Sequence, residues 1–347
     1  MTTTKPAWLP RKRASIIAFA LATLALAAHA AAPTPPAQPT HGPGSSDYAH
    51  ARVDAREFAP GARGGWIFTP AVPLPKTAPV VVFCHGWGAL DPHGYRGWID
   101  HLVRRGAIVV WPNYQDSLRV RGADFLPNAL AGIHAAFAQL AAPDAPVAAD
   151  FSRLAIVGHS AGGLLSAEIA AAAAAEHLPP FRAVMPVQPG DGSRDGTRPA
   201  TIPTADIASL PASTLLLVLV GADDRFAFEQ LGLRLYDAAR ALPAQNKNVL
   251  ELRTDRHGSP ALVANHFAPA APAAARAPRA HALSSDFEHA GAIDAMDWYG
   301  TWKLFDALSD AAFYGRERDV ALGGGEAQTF MGTWSDGVAV TPMRVLR

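Results

Sequence analysis

The sequence has one cysteine among its 347 residues. A single thiol cannot form an intramolecular disulfide, and it cannot build the sites in which several cysteines together hold a metal. Cys84 closes the apolar run "VVVFC". A small buried residue is more typical of such a position than a reactive thiol, so we expect Cys84 to pack in the core.

An excess of charge of either sign is also missing. Charged residues make up 17% of the chain, and 30 Lys+Arg balance 30 Asp+Glu. Without a strongly basic composition we expect no nucleic-acid partner. The histidines show no metal-binding spacing with nearby carboxylates, and no glycine-rich phosphate loop appears, so we expect no metal and no cofactor. The hydrophobic content of 49% is enough to bury a large core.

The first thirty residues have the pattern of an export signal. A basic trio at 11–13 precedes an apolar run at 15–28, and "AHA" at 28–30 fits an A-x-A cleavage site. An apolar run of this length is short for a bilayer span, although an uncleaved membrane anchor is the alternative. We predict a signal peptide over 1–30 and a secreted or periplasmic protein with no stable membrane insertion after cleavage.

After the signal, residues 31–48 are rich in Pro, Ala, Gly and Ser and predict a flexible leader. Residues 49–347 are expected to form a single domain. Within it, residues 268–284 are of low complexity and predict a surface loop.

From about residue 50, short β-type runs alternate with longer helical patterns. Strands are predicted at 65–69, 80–84, 107–111, 153–157, 183–187, 214–220 and 248–252. Helices are predicted at 96–105, 128–140, 161–177, 226–241 and 286–312. Several of the strands are apolar throughout, which is typical of strands buried on both faces. The sequence therefore predicts an α/β fold with a mostly parallel central sheet and helices on both of its faces.

"GHSAG" at 158–162 lies where a strand-like run meets a helix-like run. This context matches G-x-S-x-G, the nucleophile elbow, in which glycines leave room for a serine on a sharp turn. We predict Ser160 as the nucleophile. The neighbouring His159 is expected to pack rather than act as a base, because adjacent side chains on a tight turn point apart.

A serine hydroxyl needs a base, and the base needs an orienting acid. The elbow predicts the chain order serine, acid, histidine. "GADD" follows the apolar strand at 214–220, and Asp224 is our candidate acid. Asp223 and Asp191 are the alternatives.

The base should follow the last predicted strand, at 248–252. His257 and His266 both satisfy this order. His266, in "ANHFAP", is our candidate because its loop can fold back over the elbow, and His257 remains the alternative.

Two backbone N–H groups are candidates for an oxyanion hole. The elbow predicts the N–H of Ala161, at the start of the following helix. The N–H of Trp87, in the loop after "VVVFC", is the candidate for the second. His85 is expected to hold that loop by hydrogen bonds.

The motifs "FCHGWG", "GHSAGG", "GADD" and "NHFAP" resemble the α/β-hydrolase superfamily. Within it they are similar to the group of cutinase-like polyester hydrolases, chlorophyllases and platelet-activating-factor acetylhydrolases, over about residues 60–310. The resemblance implies an α/β-hydrolase fold and a Ser–Asp–His triad at Ser160, Asp224 and His266 that acts on carboxylic esters. The cutinase-like members commonly carry a disulfide, which this chain cannot form internally.

These patterns predict a secreted esterase or lipase-like enzyme acting on a small-molecule or lipid ester. Trp87, Trp98 and Phe226 are candidates for the lining of an apolar acyl pocket, and packing in the core is the alternative for each of them. An amidase or peptidase using the same residues is the alternative among enzymes. A non-catalytic binding protein on this fold is the alternative outside them.

Overall fold

The computed structural model describes residues 1–4, 32–193, 198–272 and 292–347. The predicted signal peptide lies outside the described residues from residue 5 onward, and so do residues 273–284 of the predicted loop. Pro33–Arg347 form one compact unit. Across the described ranges, no helix combines the length and apolarity needed to cross a membrane.

One nine-stranded sheet, ordered β1-β2-β4-β3-β5-β6-β7-β8-β9, runs through this unit. Neighbouring strands from β4 to β8 in this order are parallel, whereas β1, β2 and β9 join the sheet through antiparallel pairs. The strands are β1 (Arg52–Ala59), β2 (Gly65–Ala71), β3 (Thr77–Cys84), β4 (Ile108–Pro112), β5 (Ala148–His159), β6 (Ala183–Val187), β7 (Leu215–Gly221), β8 (Lys247–Leu252) and β9 (Arg344–Val345).

Helices cover both faces of this sheet. The α-helices are α1 (Arg96–Arg104), α2 (Phe125–Leu140), α3 (Ala161–Ala172), α4 (Glu229–Ala238), α5 (Trp302–Tyr314), α6 (Arg318–Leu322) and α7 (Glu326–Thr329). A π-helical turn, Met296–Thr301, leads into α5. Short 3₁₀ turns occur at Pro92–Tyr95, Gly122–Asp124 and Ala244–Asn246.

The apolar strands divide their side chains between two cores. In β3, Val80 and Val82 pack in a core with α2, α3 and α4. Val81 and Phe83 point to the opposite face and pack with α1, α5 and the C-terminal segment. Successive side chains of a strand alternate between faces, so a strand covered on both sides is apolar at every position. This packing confirms the predicted mostly parallel sheet with helices on both faces.

All seven predicted strands are present, with ends that differ by a few residues. Sequence reasoning missed β1, whose side chains are mostly exposed and which shows no clean apolar alternation. It also missed β9, a two-residue strand that exists through its pairing with Leu250 and Glu251 of β8. The predicted helix at 286–312 is described from residue 292 onward. Residues 292–294 are not helical, and the π-helical turn and α5 follow them.

Residues 33–48 do not form a free leader. The Gly44 N–H donates to Asp306 Oδ2 in α5 at 2.8 Å, and Trp298 Nε1 donates to the Pro36 carbonyl oxygen at 3.2 Å. Composition suggests flexibility here, but distant side chains satisfy the backbone polar groups of this segment and hold it against the domain.

A buried carboxyl group in α3 holds the loop between β6 and β7. Glu168 is 1% exposed, and its Oε1 accepts a hydrogen bond from the Ala205 N–H at 2.6 Å. Burial disfavours the charged form and raises the pKa of Glu168 to about 7. The folded state therefore binds a proton that the unfolded state releases above its ordinary pKa of 4.5. Stability is lost as the pH rises from about 4.5 to about 7.

The variant Glu168→Gln should lack this loss, because a neutral amide retains an acceptor for Ala205. We subtract the free energy of unfolding of the unmodified protein from that of the variant at each pH. This difference should be larger by about 1–3 kcal/mol at about pH 8.5 than at about pH 4. Urea unfolding at both pH values measures the change. Glu57→Gln, at an exposed position of β1, is the control and should show no such gain. Equal pH dependence in all three proteins would contradict the assignment.

Candidate active site

The segments that follow β3, β5, β7 and β8 carry the three predicted triad residues and the two predicted oxyanion donors. These strands are parallel, so their carboxyl ends lie at one edge of the sheet, where ligands bind in open α/β sheets. The topology thus brings together residues that are far apart along the chain.

Ser160 lies between β5 and α3 with φ 57° and ψ −121°. This left-handed backbone is strained for a residue with a side chain. The two flanking glycines make the turn sterically possible. A Cβ on Gly158 would overlap the carbonyl oxygen of Gly162, and one on Gly162 would overlap that of Cys84. The local chain therefore has the geometry of a nucleophile elbow.

A continuous hydrogen-bonded line joins Ser160, His266 and Asp224. Ser160 Oγ is 2.9 Å from His266 Nε2, and His266 Nδ1 is 2.8 Å from Asp224 Oδ2. The other carboxylate oxygen of Asp224 accepts from the N–H groups of Phe226 and Ala227, both at 2.8 Å. With Nδ1 protonated toward the carboxylate, Nε2 of a neutral ring is free to accept the serine proton.

The alternative residues make their contacts elsewhere. His257 Nε2 is 2.7 Å from Asp336 Oδ2 at the surface. Asp223 Oδ2 accepts from the Thr254 hydroxyl at 2.7 Å. Asp191 lies 3.5 Å from Arg234. None of these three alternatives takes the place of Asp224 or His266 in the hydrogen-bonded line.

The loop after β3, residues 85–88, lies against the elbow. A Cβ on Gly86 would be 3.5 Å from Ser160 Cβ. Buried hydrogen bonds hold this loop: His85 Nε2 is 2.6 Å from the Asn113 carbonyl oxygen, and the Gly88 N–H donates to Gln115 Oε1 at 2.9 Å. Burial lowers the pKa of His85 to about 4. His85 thus holds the loop, as expected.

The N–H groups of Trp87 and Ala161 are free to serve an external acceptor. Neither donates a backbone hydrogen bond to another group in the described part of the chain. Trp87 belongs to the loop beside Ser160, and Ala161 begins α3. Two such donors beside a nucleophile are the requirement for an oxyanion hole.

Apolar side chains border the site. Trp87 is 40% exposed and packs edge-on against Phe125, with ring centroids 4.9 Å apart. The Phe226 ring lies 5.3 Å from that of His266. Trp98, by contrast, is a residue of α1 and is completely buried in the core, so the structure supports core packing, and not the acyl pocket, for this side chain.

Sequence reasoning missed Gln188, which supports the histidine loop. Its Nε2 donates to the Asn265 carbonyl oxygen at 2.8 Å, immediately before His266. Its backbone has φ 44°, a left-handed value. No local motif marks this residue, because its partner lies 77 positions later.

Within the described ranges, no group of three or more His, Cys, Asp or Glu side chains is placed to hold a metal ion.

Comparison with protein families finds a match to the model of the chlorophyllase family over residues 39–222, slightly more than half of the chain. The matched span includes Trp87, Ser160 and Ala161, whereas Asp224 and His266 follow it. A comparison with curated proteins finds no match.

Proposed function

The chain belongs to the chlorophyllase family, a family of α/β-hydrolases, and from this we propose that it is a serine hydrolase of carboxylic esters with carboxylesterase or lipase-like activity. The family makes a small-molecule ester the expected substrate class. The observation that carries the proposal is the line from Ser160 Oγ through His266 to Asp224, with donor–acceptor distances of 2.9 and 2.8 Å. A hydroxyl within reach of an oriented imidazole is the arrangement that acyl transfer requires.

In the proposed reaction, Ser160 Oγ attacks the acyl carbon while His266 Nε2 takes the hydroxyl proton. Asp224 stabilises the imidazolium that forms. The N–H groups of Trp87 and Ala161 donate to the oxyanion. His266 then protonates the leaving alcohol, and an acyl group remains on Ser160. A water molecule, deprotonated by His266, attacks this acyl-enzyme. The bond between the acyl carbon and Ser160 Oγ then breaks, His266 returns the proton to Ser160, and the carboxylic acid is released.

We propose in addition that the protein is exported to the periplasm or the medium. The basic trio, the apolar run and "AHA" at 28–30 support this location. The substrate would then be an ester that reaches the protein outside the cytoplasm.

Treatment of the exported protein with a fluorophosphonate tests the nucleophile and the location together. We expect one adduct, on Ser160, and a chain that begins near Ala31. Mass spectrometry of the intact protein and its peptides measures both, while hydrolysis of a chromogenic short-chain ester measures activity. An adduct on another residue, or ester turnover without any adduct, would contradict the proposed nucleophile. An intact Met1 would contradict cleavage. Turnover of a matched anilide in preference to the ester would favour an amidase.

A further inference from the structure

The hydroxyl of Tyr95 lies between the loop 85–88 and the residue before the nucleophile. The Gly86 N–H donates to Tyr95 Oη at 3.1 Å, and Tyr95 Oη is 2.6 Å from His159 Nδ1. Tyr95 is 5% exposed and His159 is 3% exposed, so both bonds are shielded from water. One hydroxyl thus connects the backbone of Gly86, next to Trp87, with the side chain of His159, next to Ser160.

The bond from Gly86 has a fixed direction, whereas that of the His159 bond depends on the tautomer of the ring. The Gly86 N–H can only donate, so it uses an oxygen lone pair of Tyr95. We assign the phenol O–H as the donor to His159 Nδ1; this assignment requires a neutral ring with its proton on Nε2. Burial favours the neutral form of both groups, because it raises the pKa of Tyr95 and lowers the pKa of His159 well below its usual value.

The same His159 ring contacts the proposed base. Its centroid lies 4.8 Å from that of His266, with the two planes at 44°. Gln188 also supports this arrangement, because its Nε2 donates to the Asn265 carbonyl oxygen, next to His266. A neutral His159 presents no positive charge to the imidazolium that would form at His266 during the reaction.

We propose that Tyr95 and His159 are positioning residues for the hydrolysis. Tyr95 holds the Gly86 amide so that the next N–H, that of Trp87, points toward the oxyanion. His159 anchors the Tyr95 hydroxyl and packs against His266 to hold its ring in line with Ser160. This inference rests on the proposed function, because it assigns the hydrogen bonds a role in acyl transfer. Their stabilising effect on the fold does not depend on that role.

The variant Tyr95→Phe removes the hydroxyl and leaves the ring, which packs against Phe83 and Trp111. Direct loss of an oxyanion donor costs about 10²–10³ in kcat, so loss of its support should cost less, about 10–100-fold. The KM of a short-chain ester should change by less than about threefold, because the oxyanion forms only after the substrate binds. Affinity for a trifluoromethyl ketone, whose serine adduct carries an oxyanion, should fall in parallel with kcat/KM.

Tyr48→Phe is the matched control. The Tyr48 hydroxyl also bonds to a histidine, His101 Nδ1 at 3.1 Å, but this pair connects the N-terminal segment to α1. A purely structural role for Tyr95 predicts that both variants lower the melting temperature and leave kcat and ketone affinity unchanged. The positioning role predicts a fall in kcat and ketone affinity for Tyr95→Phe alone.

A second variant keeps the test decisive if Tyr95→Phe folds poorly. His159→Phe keeps a ring against His266 and removes the acceptor of the Tyr95 hydroxyl, so it should also lower kcat. The double variant should lose little more than the larger single loss, because both changes break one line of hydrogen bonds. Additive losses, or a kcat within about twofold of the unmodified protein for both single variants, would overturn the proposal.

The same assays separate this inference from the proposed function. If Ser160→Ala abolishes turnover and Tyr95→Phe does not lower it, the positioning role is wrong and the hydrolase stands. If the unmodified protein neither turns over esters nor reacts with the fluorophosphonate, the hydrolase proposal fails and the inference falls with it.

Discussion

His266→Ala is expected to lower kcat on a soluble short-chain ester by about 10⁴–10⁶-fold, nearly as much as Ser160→Ala. Ser160 Oγ bonds to His266 Nε2. Without the imidazole the serine loses the base that takes its proton, and the nucleophile is then as weak as an ordinary alcohol. The two losses should not add in the double variant, because the residues act as one unit. Some acceleration should remain from the oxyanion donors and substrate binding.

His257→Ala is the control, since His257 was the competing candidate in the sequence. Its ring pairs with Asp336 at the surface, at 2.7 Å. We expect kcat to fall by less than about tenfold, within the range of a loop disturbance. Circular dichroism checks that all three variants fold. An inactive His257→Ala with an active His266→Ala would show that the base lies nearer the end of β8.

Asp224→Asn is expected to lower kcat by about 10³–10⁴-fold while leaving the fold intact. Asp224 Oδ1 accepts from the N–H groups of Phe226 and Ala227, and the asparagine carbonyl oxygen can keep those two bonds. The amide NH₂ must then face His266 Nδ1. The ring responds by carrying its proton on Nε2, a tautomer that cannot accept the proton of Ser160.

Asp223→Asn is the control, because it removes the same charge at the neighbouring residue. Asp223 is exposed and bonds to Thr254, away from the imidazole. We expect its kcat to stay within about twofold of the unmodified protein, with the fold of both variants checked by thermal unfolding. If Asp223→Asn is the inactive variant, the carboxylate that orients His266 has been misassigned.

The sequence by itself was sufficient for seven of the nine strands that the structure describes and for the position of the elbow. Both depend on short-range patterns. A strand buried on both faces is apolar at every position, as "VVVFC" shows for β3. At the elbow, the requirement for small residues at 158 and 162 is met within five positions of the chain.

The sequence alone could not choose between His257 and His266, or among Asp223, Asp224 and Asp191. All of them follow strands at plausible positions, and one-dimensional order does not state which side chains meet. The hydrogen bonds that join His266 to Ser160 and to Asp224 span 106 and 42 positions. Only the tertiary structure brings the loops after β5, β7 and β8 to one edge of the sheet.

The tertiary structure also determined two features that the composition either predicted wrongly or did not indicate. Residues 33–48 look flexible, yet Asp306 holds Gly44 from 262 positions away. Tyr95 looks like any core aromatic, yet its hydroxyl bonds to the Gly86 N–H and to His159, 64 positions later in the chain. In each case a buried polar group needs a partner, and the partner comes from a distant segment that no local periodicity encodes.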